Sequence, residues 1–281
     1  MKSPNGEGKS LLSNEVCRLL AQRQADAEVN KQEVVRLTAE YSDLTAEDAY
    51  RIQDELVAIK AEQGHQVSFL KMGLTNSAKM KQMNVDTPIY GYIFDYMNID
   101  NGVLDFSNLI HPKVEAEIAF ILGKDIEGPG VTGAQVLAAT DYVVPALEII
   151  DSRYENFQFK LPDVIADNTS SSRVFIGQTM RKPQELAMDL DLIGATLSIN
   201  GKIKDLGAGA AVLGHPANAI AMLANMLARK GRKLQAGQLI LSGAMTEAHR
   251  LQAGDIVSAK WDGLGSIDFV VNAGTLRNEA R

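Results

Sequence analysis

Alternation of apolar and polar positions predicts a β-strand over Lys113–Leu122. The apolar residues at 114, 116, 118 and 120 alternate there with Lys113, Glu115, Glu117 and Ala119. Successive side chains on a strand point to opposite faces, so Glu115 and Glu117 are expected to lie side by side on one face. On an α-helix the same two side chains would diverge by roughly 200°.

Before residue 65 the apolar spacing is helical, and after it the pattern becomes one of short strands. Leu11–Val29 has helical spacing, and Thr45 begins a second helix that Gly64 would end. Further helices are predicted after Thr132 and over Pro216–Arg229. Strands are predicted over Gln66–Met72, Ile89–Phe94, Lys113–Leu122, Tyr142–Ile150, Arg173–Ile176, Ala195–Ile199, Leu239–Leu241, Asp255–Ala259 and Ile267–Val271.

Many unevenly spaced strands with few helices indicate an α+β fold around a rolled or sandwiched sheet. We predict a small N-terminal helical region over residues 1–65 and a β-rich domain over residues 66–281, with the two parts packed together. The 281 residues are 46% hydrophobic, which is enough for a sizeable core.

Composition excludes several classes of protein. The net charge is −7 and no basic cluster interleaves with aromatic residues, so nucleic acid is not an expected partner. The single cysteine, Cys17, lies in an apolar helical pattern, which excludes disulfide and cysteine-based zinc sites and favours a core position. No secretory signal and no run of 18 apolar residues is visible, so we expect no membrane partner and a reducing, cytoplasmic location.

A third carboxylate, Glu148, lies within the almost wholly apolar run Val143–Ile150, which predicts a buried strand. An acid in such a strand is paired, protonated or a metal ligand. Neighbouring carboxylates repel each other unless a proton or cation lies between them, and oxygen ligands suit Mg²⁺ or Mn²⁺. Glu115, Glu117 and Glu148 are therefore candidate ligands. The alternative for Glu115 and Glu117 is a solvated strand face.

Other polar groups in apolar surroundings leave alternatives open. Lys71 lies either at a strand edge facing water or buried beside an anion, where it is a usable proton donor. The stretch Asp163–Arg173 is either a polar loop or a carboxylate-binding site, in which the Arg173 guanidinium would donate two parallel hydrogen bonds to the carboxylate. Arg153 would bind substrate or, as we favour, balance carboxylates. Ser242-Gly243 is an ordinary turn or a carboxylate-binding one.

Some well-known motifs are missing. The glycine-rich stretch Gly207–Pro216 does not match a dinucleotide fingerprint, so we expect close backbone packing there, with Pro216 near the start of a helix. The histidines have no ligand spacing, and no Gly-x-Ser-x-Gly elbow is present.

Several segments in this order resemble the fumarylacetoacetate hydrolase superfamily, and within it the hydratase/decarboxylase branch of meta-cleavage degradation of aromatic compounds. They are Lys71-Met-Gly-Leu74, Lys113-Val-Glu-Ala-Glu117, Pro145–Arg153, Ala166–Ser170 and Gly214-His-Pro216. The resemblance runs from Ser10 to Val271. It implies a mixed β-roll catalytic domain with a small helical N-terminal part.

The resemblance also implies roles for single residues. It assigns the metal site to Glu115, Glu117 and Glu148, and the active-site lysine to Lys71. It implies substrate-carboxylate contacts from Ser170, Ser242, Gly243 and Ala244. Asp95 is the nearest acid to the one that hydratase relatives carry around Phe94–Met97, and it is a candidate proton donor. The cofactor implied is Mg²⁺, with Mn²⁺ possible.

The implied activity is metal-dependent removal of CO₂ from 2-oxohex-3-enedioate, a small dicarboxylate, to give 2-hydroxypenta-2,4-dienoate. Hydratases tend to carry Ser-Cys-Gly where this chain has Ser170-Ser-Ser, followed by Arg173, so the carboxy-lyase is favoured. The departing carboxylate would lie in a dry part of the pocket or on Arg173. Alternatives are hydration of the dienol, another reaction of the superfamily, and a non-catalytic partner of a hydratase. A homo-oligomer and a complex with the pathway hydratase are expected.

Overall fold

The helices and strands lie in the residues that the computed structural model describes, which are 12–76, 80, 85 and 87–274. The helices are α1 Asn14–Asn30, α2 Leu37–Glu40, α3 Ala46–Glu62, α4 Gly133–Ala139, α5 Leu161–Ala166 and α6 Pro216–Ala228. The strands are β1 Val67–Gly73, β2 Ile89–Phe94, β3 Val103–Asp105, β4 Lys113–Leu122, β5 Thr140–Ile150, β6 Ser171–Ile176, β7 Gly194–Ile199, β8 Lys202–Ala208, β9 Leu239–Ala244, β10 His249–Arg250, β11 Ile256–Trp261 and β12 Gly265–Asn272.

Side-chain caps set the starts of the long helices. The Ser13 hydroxyl accepts a hydrogen bond from the Val16 N–H at 3.3 Å, which begins α1. The Thr45 hydroxyl accepts from the Asp48 N–H at 3.1 Å and begins α3, as predicted. Leu11, where the first helix was predicted to begin, lies outside the described residues. Cys17 is buried between these helices, which confirms its core position.

The twelve strands of the described chain form two sheets. The seven-stranded sheet has the order β2-β1-β9-β4-β5-β6, with β10 paired to the beginning of β4, and the five-stranded sheet has the order β3-β12-β11-β7-β8. Each sheet contains one parallel pair, β1 with β9 and β3 with β12, so both are mixed. All the predicted strands are present. The unpredicted ones are the very short β3 and β10 and the exposed edge strand β8, whose pattern lacks buried alternate positions.

The inner faces of the two sheets pack together into one core. Phe175 of the larger sheet and Phe269 of the smaller one stack with ring centroids 4.2 Å apart, and Ile118 and Leu197 are buried in the same cluster. Each such side chain contributes about 1.5–3 kcal/mol through burial. The α+β sandwich predicted from the sequence is confirmed.

A second core cluster joins the helices to the larger sheet. Ile52 of α3 is buried in one cluster with Ile89 at the start of β2 and with Tyr154 and Val164 after β5. The helical part ends at Glu62, and β1 begins at Val67. The division into two domains at residue 65 stays a prediction. No helix within the described ranges is both long and apolar enough to cross a membrane.

The glycine-rich stretch is closely packed, as predicted. A Cβ at Gly207 would lie 2.3 Å from the Met245 carbonyl oxygen, so the backbones are in contact there. His215 then caps α6, its Nδ1 accepting from the Ala217 N–H at 3.1 Å, with Pro216 in the first turn.

Candidate active site

Three glutamates converge on one face of the larger sheet. The antiparallel register of β4 and β5 places Glu115 opposite Glu148 and Glu117 opposite Ala146. Cross-strand partners share a face, so all three carboxylates point to the same side. One oxygen from each lies within 4.8 Å of the others. The side-by-side placement of Glu115 and Glu117 predicted from the strand period is confirmed, and the solvated-face alternative is wrong for Glu117, which is fully buried.

The buried carboxylates keep oxygens that the protein does not satisfy. Glu117 Oε2 accepts from the Gly243 N–H at 2.8 Å, but within the described part of the chain Glu117 Oε1 and Glu148 Oε2 have no hydrogen-bond partner. Burial, with the nearby Glu148 carboxylate, raises the pKa of Glu117 well above its usual range. Burial also raises the pKa of Glu148, against the opposing effect of Lys71. Such oxygens suit a hard divalent cation, which would offset both burial and repulsion.

Lys71 lies beside this cluster on β1, which pairs with the edge strand β2 on one side and with β9 on the other. It is only 2% exposed. Its Nζ lies 3.0 Å from Glu148 Oε1 and donates to the Thr169 carbonyl oxygen at 2.9 Å. Of the two alternatives for this lysine, burial beside an anion is the one that the structure adopts.

The segment after α5 makes a turn of left-handed backbone. Asn168, Thr169 and Ser170 have φ angles of 49°, 55° and 54°, each costing about 1–2 kcal/mol for a residue with a Cβ. Hydrogen bonds to β2 hold the turn: the Asn168 amide accepts from the Tyr92 N–H and donates to the Tyr92 carbonyl, both at 2.8 Å. The Thr169 hydroxyl donates to the Tyr90 carbonyl at 2.8 Å. The Asn168 side chain thus pairs with β2 as a strand residue would.

This turn shapes the site in two ways. It points the Thr169 carbonyl at the Lys71 ammonium. It also brings Ser170 to the wall of the cavity above the glutamates, with a buried hydroxyl that has no partner in the part of the chain described. Ser170 is therefore placed to meet a ligand.

The segment Ser242–Ala244 continues β9 instead of forming a turn. The Ser242 hydroxyl donates to the Ile118 carbonyl at 2.7 Å, and the Gly243 N–H donates to Glu117, so both predicted substrate donors are used within the protein. Gly243 has φ +106°, and a Cβ there would lie 2.0 Å from Thr75 Oγ1, so only glycine fits. Ala244 lines the cavity as expected for a contact residue.

Two predicted residues lie away from the site. Arg173 pairs with Ile149 while Glu148 pairs with Val174, so the period of two turns Arg173 to the opposite face of the sheet. Its guanidinium lies over the Tyr96 ring, 5.7 Å from the centroid. Substrate binding by Arg173 is therefore not supported.

Asp95 follows the far end of β2. Lys71 pairs with Gly91, and four further strand residues span about 13 Å. The Asp95 carboxylate instead lies 3.2 Å from His65 Nδ1 in an exposed position. The structure does not bring Asp95 to the glutamates, so a role as proton donor has no geometric support.

Arg153 is buried against Asp167 and not against the glutamate cluster. Its side chain forms an ion pair with Asp167 and donates to the carbonyls of Asp151 and Ser171. The preference for charge balance over substrate binding agrees with this geometry, although the carboxylate it balances is that of Asp167.

The cavity at Glu115 has both polar and apolar walls. Its polar lining residues are Lys71, Thr75, Asn76, Glu115, Thr169 and Ser170, and its apolar ones include Leu74, Ile89, Ile150, Phe157, Phe159 and Val164. Phe157 and Phe159 were not among the predicted site residues. Their signal is a pair of aromatic residues in the otherwise polar stretch 155–160, but nothing local indicates that they face the site. Phe157 is held under the Lys113 ammonium, 3.6 Å from the ring centroid.

Carboxylates around a cation-sized gap, a buried lysine and a partly apolar cavity are characteristic of a cation-dependent enzyme that acts on a small anionic molecule. Comparison with known proteins agrees with this class. Residues 78–272 match the family model described as fumarylacetoacetate (FAA) hydrolase C-terminal. The chain belongs to the fumarylacetoacetate hydrolase family.

Relatives within this family are close in sequence and structure. The chain is 48% identical over 249 residues to a 4-oxalocrotonate decarboxylase of Pseudomonas sp. strain CF600, covering 88% of this chain and 94% of that protein. It is 42% identical over 228 residues to a 2-keto-4-pentenoate hydratase of Paraburkholderia xenovorans strain LB400, covering 81% and 84%. The structure of 4-oxalocrotonate decarboxylase from Pseudomonas putida G7, complexed with magnesium and adipate, superimposes with a TM-score of 0.91 at 44% identity, covering 94% and 100%.

Proposed function

We infer that this chain is a divalent-metal-dependent decarboxylase. It converts 2-oxohex-3-enedioate (4-oxalocrotonate) and a proton into CO₂ and 2-hydroxypenta-2,4-dienoate in the meta-cleavage degradation of aromatic compounds. The observation that carries this is the cluster of Glu115, Glu117 and Glu148 beside Lys71, next to a cavity that Lys71 and Glu115 line together with apolar side chains. The chain is also more identical to the decarboxylase of Pseudomonas sp. strain CF600 than to the hydratase of Paraburkholderia xenovorans, at 48% against 42%.

The cation would be held by Glu115, Glu117 and Glu148. Glu117 and Glu148 have buried oxygens without a hydrogen-bond partner among the described residues, and such oxygens fit Mg²⁺ or Mn²⁺. When bound, it supplies Lewis-acid polarisation of the 2-oxo group. The 4-oxalocrotonate decarboxylase structure that superimposes with a TM-score of 0.91 is complexed with magnesium, which supports this choice.

Lys71 is the proposed electrostatic and proton-donating residue. Loss of CO₂ leaves an electron pair that delocalises along the conjugated chain to the 2-oxo oxygen. The Lys71 ammonium, fixed between Glu148 and the Thr169 carbonyl, is near enough to the cluster to stabilise that charge and to protonate the oxygen. Ser170 would donate its free hydroxyl to the adjacent 1-carboxylate.

Apolar side chains on the cavity wall suit the departing group. They include Phe157, Phe159 and Val164, and Lys71 is the only cation among the described lining residues. A carboxylate placed there loses its hydration, and it becomes neutral CO₂ as it leaves. This supports the dry pocket over binding of that carboxylate by Arg173, which lies on the other face of the sheet.

Hydration of 2-hydroxypenta-2,4-dienoate is the second candidate, because hydratases are also among the relatives. A substrate panel separates the two functions. Purified protein with Mg²⁺ is given the six-carbon diacid or the five-carbon dienol, with and without EDTA. Release of CO₂ from the diacid that EDTA abolishes supports the proposal. Consumption of the dienol without CO₂ release from the diacid would assign the hydratase reaction instead.

We also propose a homo-oligomer and an association with the pathway hydratase, in the cytoplasm. The dienol product is labile, so transfer to an enzyme that consumes it limits its loss. Size-exclusion chromatography with light scattering, of the chain alone and mixed with a hydratase, tests both associations. A monomer that does not co-elute would contradict them.

A further inference from the structure

Arg153 makes an unusually complete set of hydrogen bonds for a buried side chain. Its Nε donates to the Asp167 carboxylate and its Nη2 to the Asp167 carbonyl. Its Nη1 donates to the Ser171 carbonyl at 2.9 Å and to the Asp151 carbonyl at 2.6 Å. These bonds use four of the five N–H groups of the side chain, which is only 4% exposed and does not line the cavity.

The acceptors of Arg153 flank the left-handed turn on both sides. Asp167 directly precedes the turn and Ser171 directly follows it, so one rigid guanidinium holds both ends together. The Ser171 hydroxyl closes the same loop by donating to the Asn168 carbonyl at 2.7 Å. The clamp at the two ends adds to the hydrogen bonds that Asn168 and Thr169 make with β2, and together they oppose relaxation of the left-handed residues to ordinary backbone angles.

We propose that Arg153 is a positioning residue for the active site. By clamping the Asn168–Ser170 turn, it fixes the Thr169 carbonyl that holds the Lys71 ammonium. This inference rests on the proposed function only where turnover is measured. Arg153 acts through Lys71 and does not touch the reacting atoms.

The planar guanidinium group of arginine is essential for bonding to Asp167 and Ser171 at the same time. A lysine at 153 would keep the positive charge opposite Asp167, but a single ammonium cannot span acceptors on both sides of the turn. Arg153→Lys therefore separates charge from geometry. Asp167→Asn is the milder variant, because the amide oxygen still accepts from Arg153 while the ionic attraction is lost.

A double-mutant cycle tests whether Arg153 acts through Lys71. With Lys71 present, Arg153→Lys is expected to lower kcat by roughly 10-fold or more, and Asp167→Asn by less, with little change in KM. In a Lys71→Met background the same substitutions should change the residual rate by less than about 2-fold. Arg51→Lys, at the ion pair with Asp48 in the helical part, is the matched control and should leave kcat unchanged. Equal losses in both backgrounds would overturn the proposal.

A second readout needs no turnover. The rate at which a water-soluble acylating reagent modifies Lys71 is measured by mass spectrometry, with buried Lys60 as internal reference. Arg153→Lys should raise the Lys71 rate by roughly 10-fold at an unchanged Lys60 rate. Unchanged Lys71 labelling, or equal increases at both lysines, would overturn the proposal; if Arg153→Lys does not fold, Asp167→Asn takes its place. A wild type that labels as expected but releases no CO₂ would refute the proposed function alone.

Discussion

Without metal, the Glu117→Gln variant should be more stable than the wild type. With Mg²⁺ bound, it should be less stable than the wild type. Glu117 is fully buried, and its carboxylate lies in a cluster with those of Glu148 and Glu115. Glutamine keeps the shape and an oxygen that can accept from the Gly243 N–H. It removes one of the charges that repel each other in the metal-free state, together with one charged ligand of the proposed cation.

The magnitude follows from the spacing of the carboxylates. Two full unit charges 4.8 Å apart, the largest separation among these oxygens, would repel by about 3.5 kcal/mol at an effective dielectric constant of about 20. The raised pKa of Glu117 means that a bound proton relieves part of this repulsion. Part of the relief is cancelled because Lys71 loses an attractive neighbour. We therefore expect a net gain of about 1–2 kcal/mol, or ~2–8 °C in Tm for a chain of this size.

Magnesium should reverse the order of stability. A ligand at 1,000 times its Kd stabilises the folded state by about 4.1 kcal/mol, and this applies to the wild type. The variant, with a neutral third ligand, should gain less than about 1 kcal/mol at the same concentration. Differential scanning fluorimetry across a Mg²⁺ series, with calorimetric titration of the same samples, measures both effects. Glu127→Gln, an exposed glutamate, is the control for loss of one negative charge.

The plots of Tm against Mg²⁺ concentration for the wild type and the Glu117→Gln variant are expected to cross, and plots that do not cross would contradict this prediction. A variant that Mg²⁺ stabilises as much as the wild type would remove Glu117 from the proposed metal site. A variant less stable than the wild type without metal would show that repulsion among the buried carboxylates is not a cost to the fold.

Further predictions concern the residues around the cluster. Lys71→Met should lower kcat by about 10²–10³-fold while the Tm shift on adding Mg²⁺ remains, and a kcat near wild type would exclude Lys71 from the reaction. Gly243→Ala should reduce turnover by about 10²-fold, because its Cβ would meet Thr75 Oγ1 at 2.0 Å; Gly64→Ala, at φ +92° with no atom nearby, is the control, and equal effects on kcat would contradict the packing argument. Burial raises the pKa of Asp167 to about 6, so its contribution to stability is present below about pH 4 and lost as the pH rises through about 6; Asp167→Asn should flatten the plot of Tm against pH in that window, and an unchanged slope would contradict the shift.

Much of the fold could be predicted because its signals are local. The period of two in Lys113–Leu122 and the apolar run around Glu148 identified the two strands that meet at the site. Helix caps at Thr45 and His215 were readable for the same reason, since a cap depends on neighbouring residues alone. Edge strand β8 was missed because an exposed edge has no buried face to impose a pattern.

Parts of the site could not be predicted, since they depend on which strands pair and in what register. Arginine commonly binds carboxylates, so Arg173 was a reasonable candidate by residue type. Its pairing with Ile149, however, places its side chain on the face of the sheet opposite to Glu148. From the sequence, Ser242 and Gly243 were candidate donors to a substrate. In the structure β9 pairs with β4, and both groups donate to residues of β4 instead. The aromatic wall at Phe157 comes from a loop whose place is set by distant contacts.

The sequence by itself determined the chemistry of this protein: an acid pair on one strand face, a third acid in a buried strand and a lysine in another, with a pattern that assigns them to one family. Side-chain type and the alternation of side chains along a strand depend only on residues close together in the chain, so they can be predicted without a structure. Tertiary structure alone decided which polar groups are still free to meet a ligand. That depends on pairing between residues far apart in the chain, as when Arg153 holds the turn that points a carbonyl at Lys71.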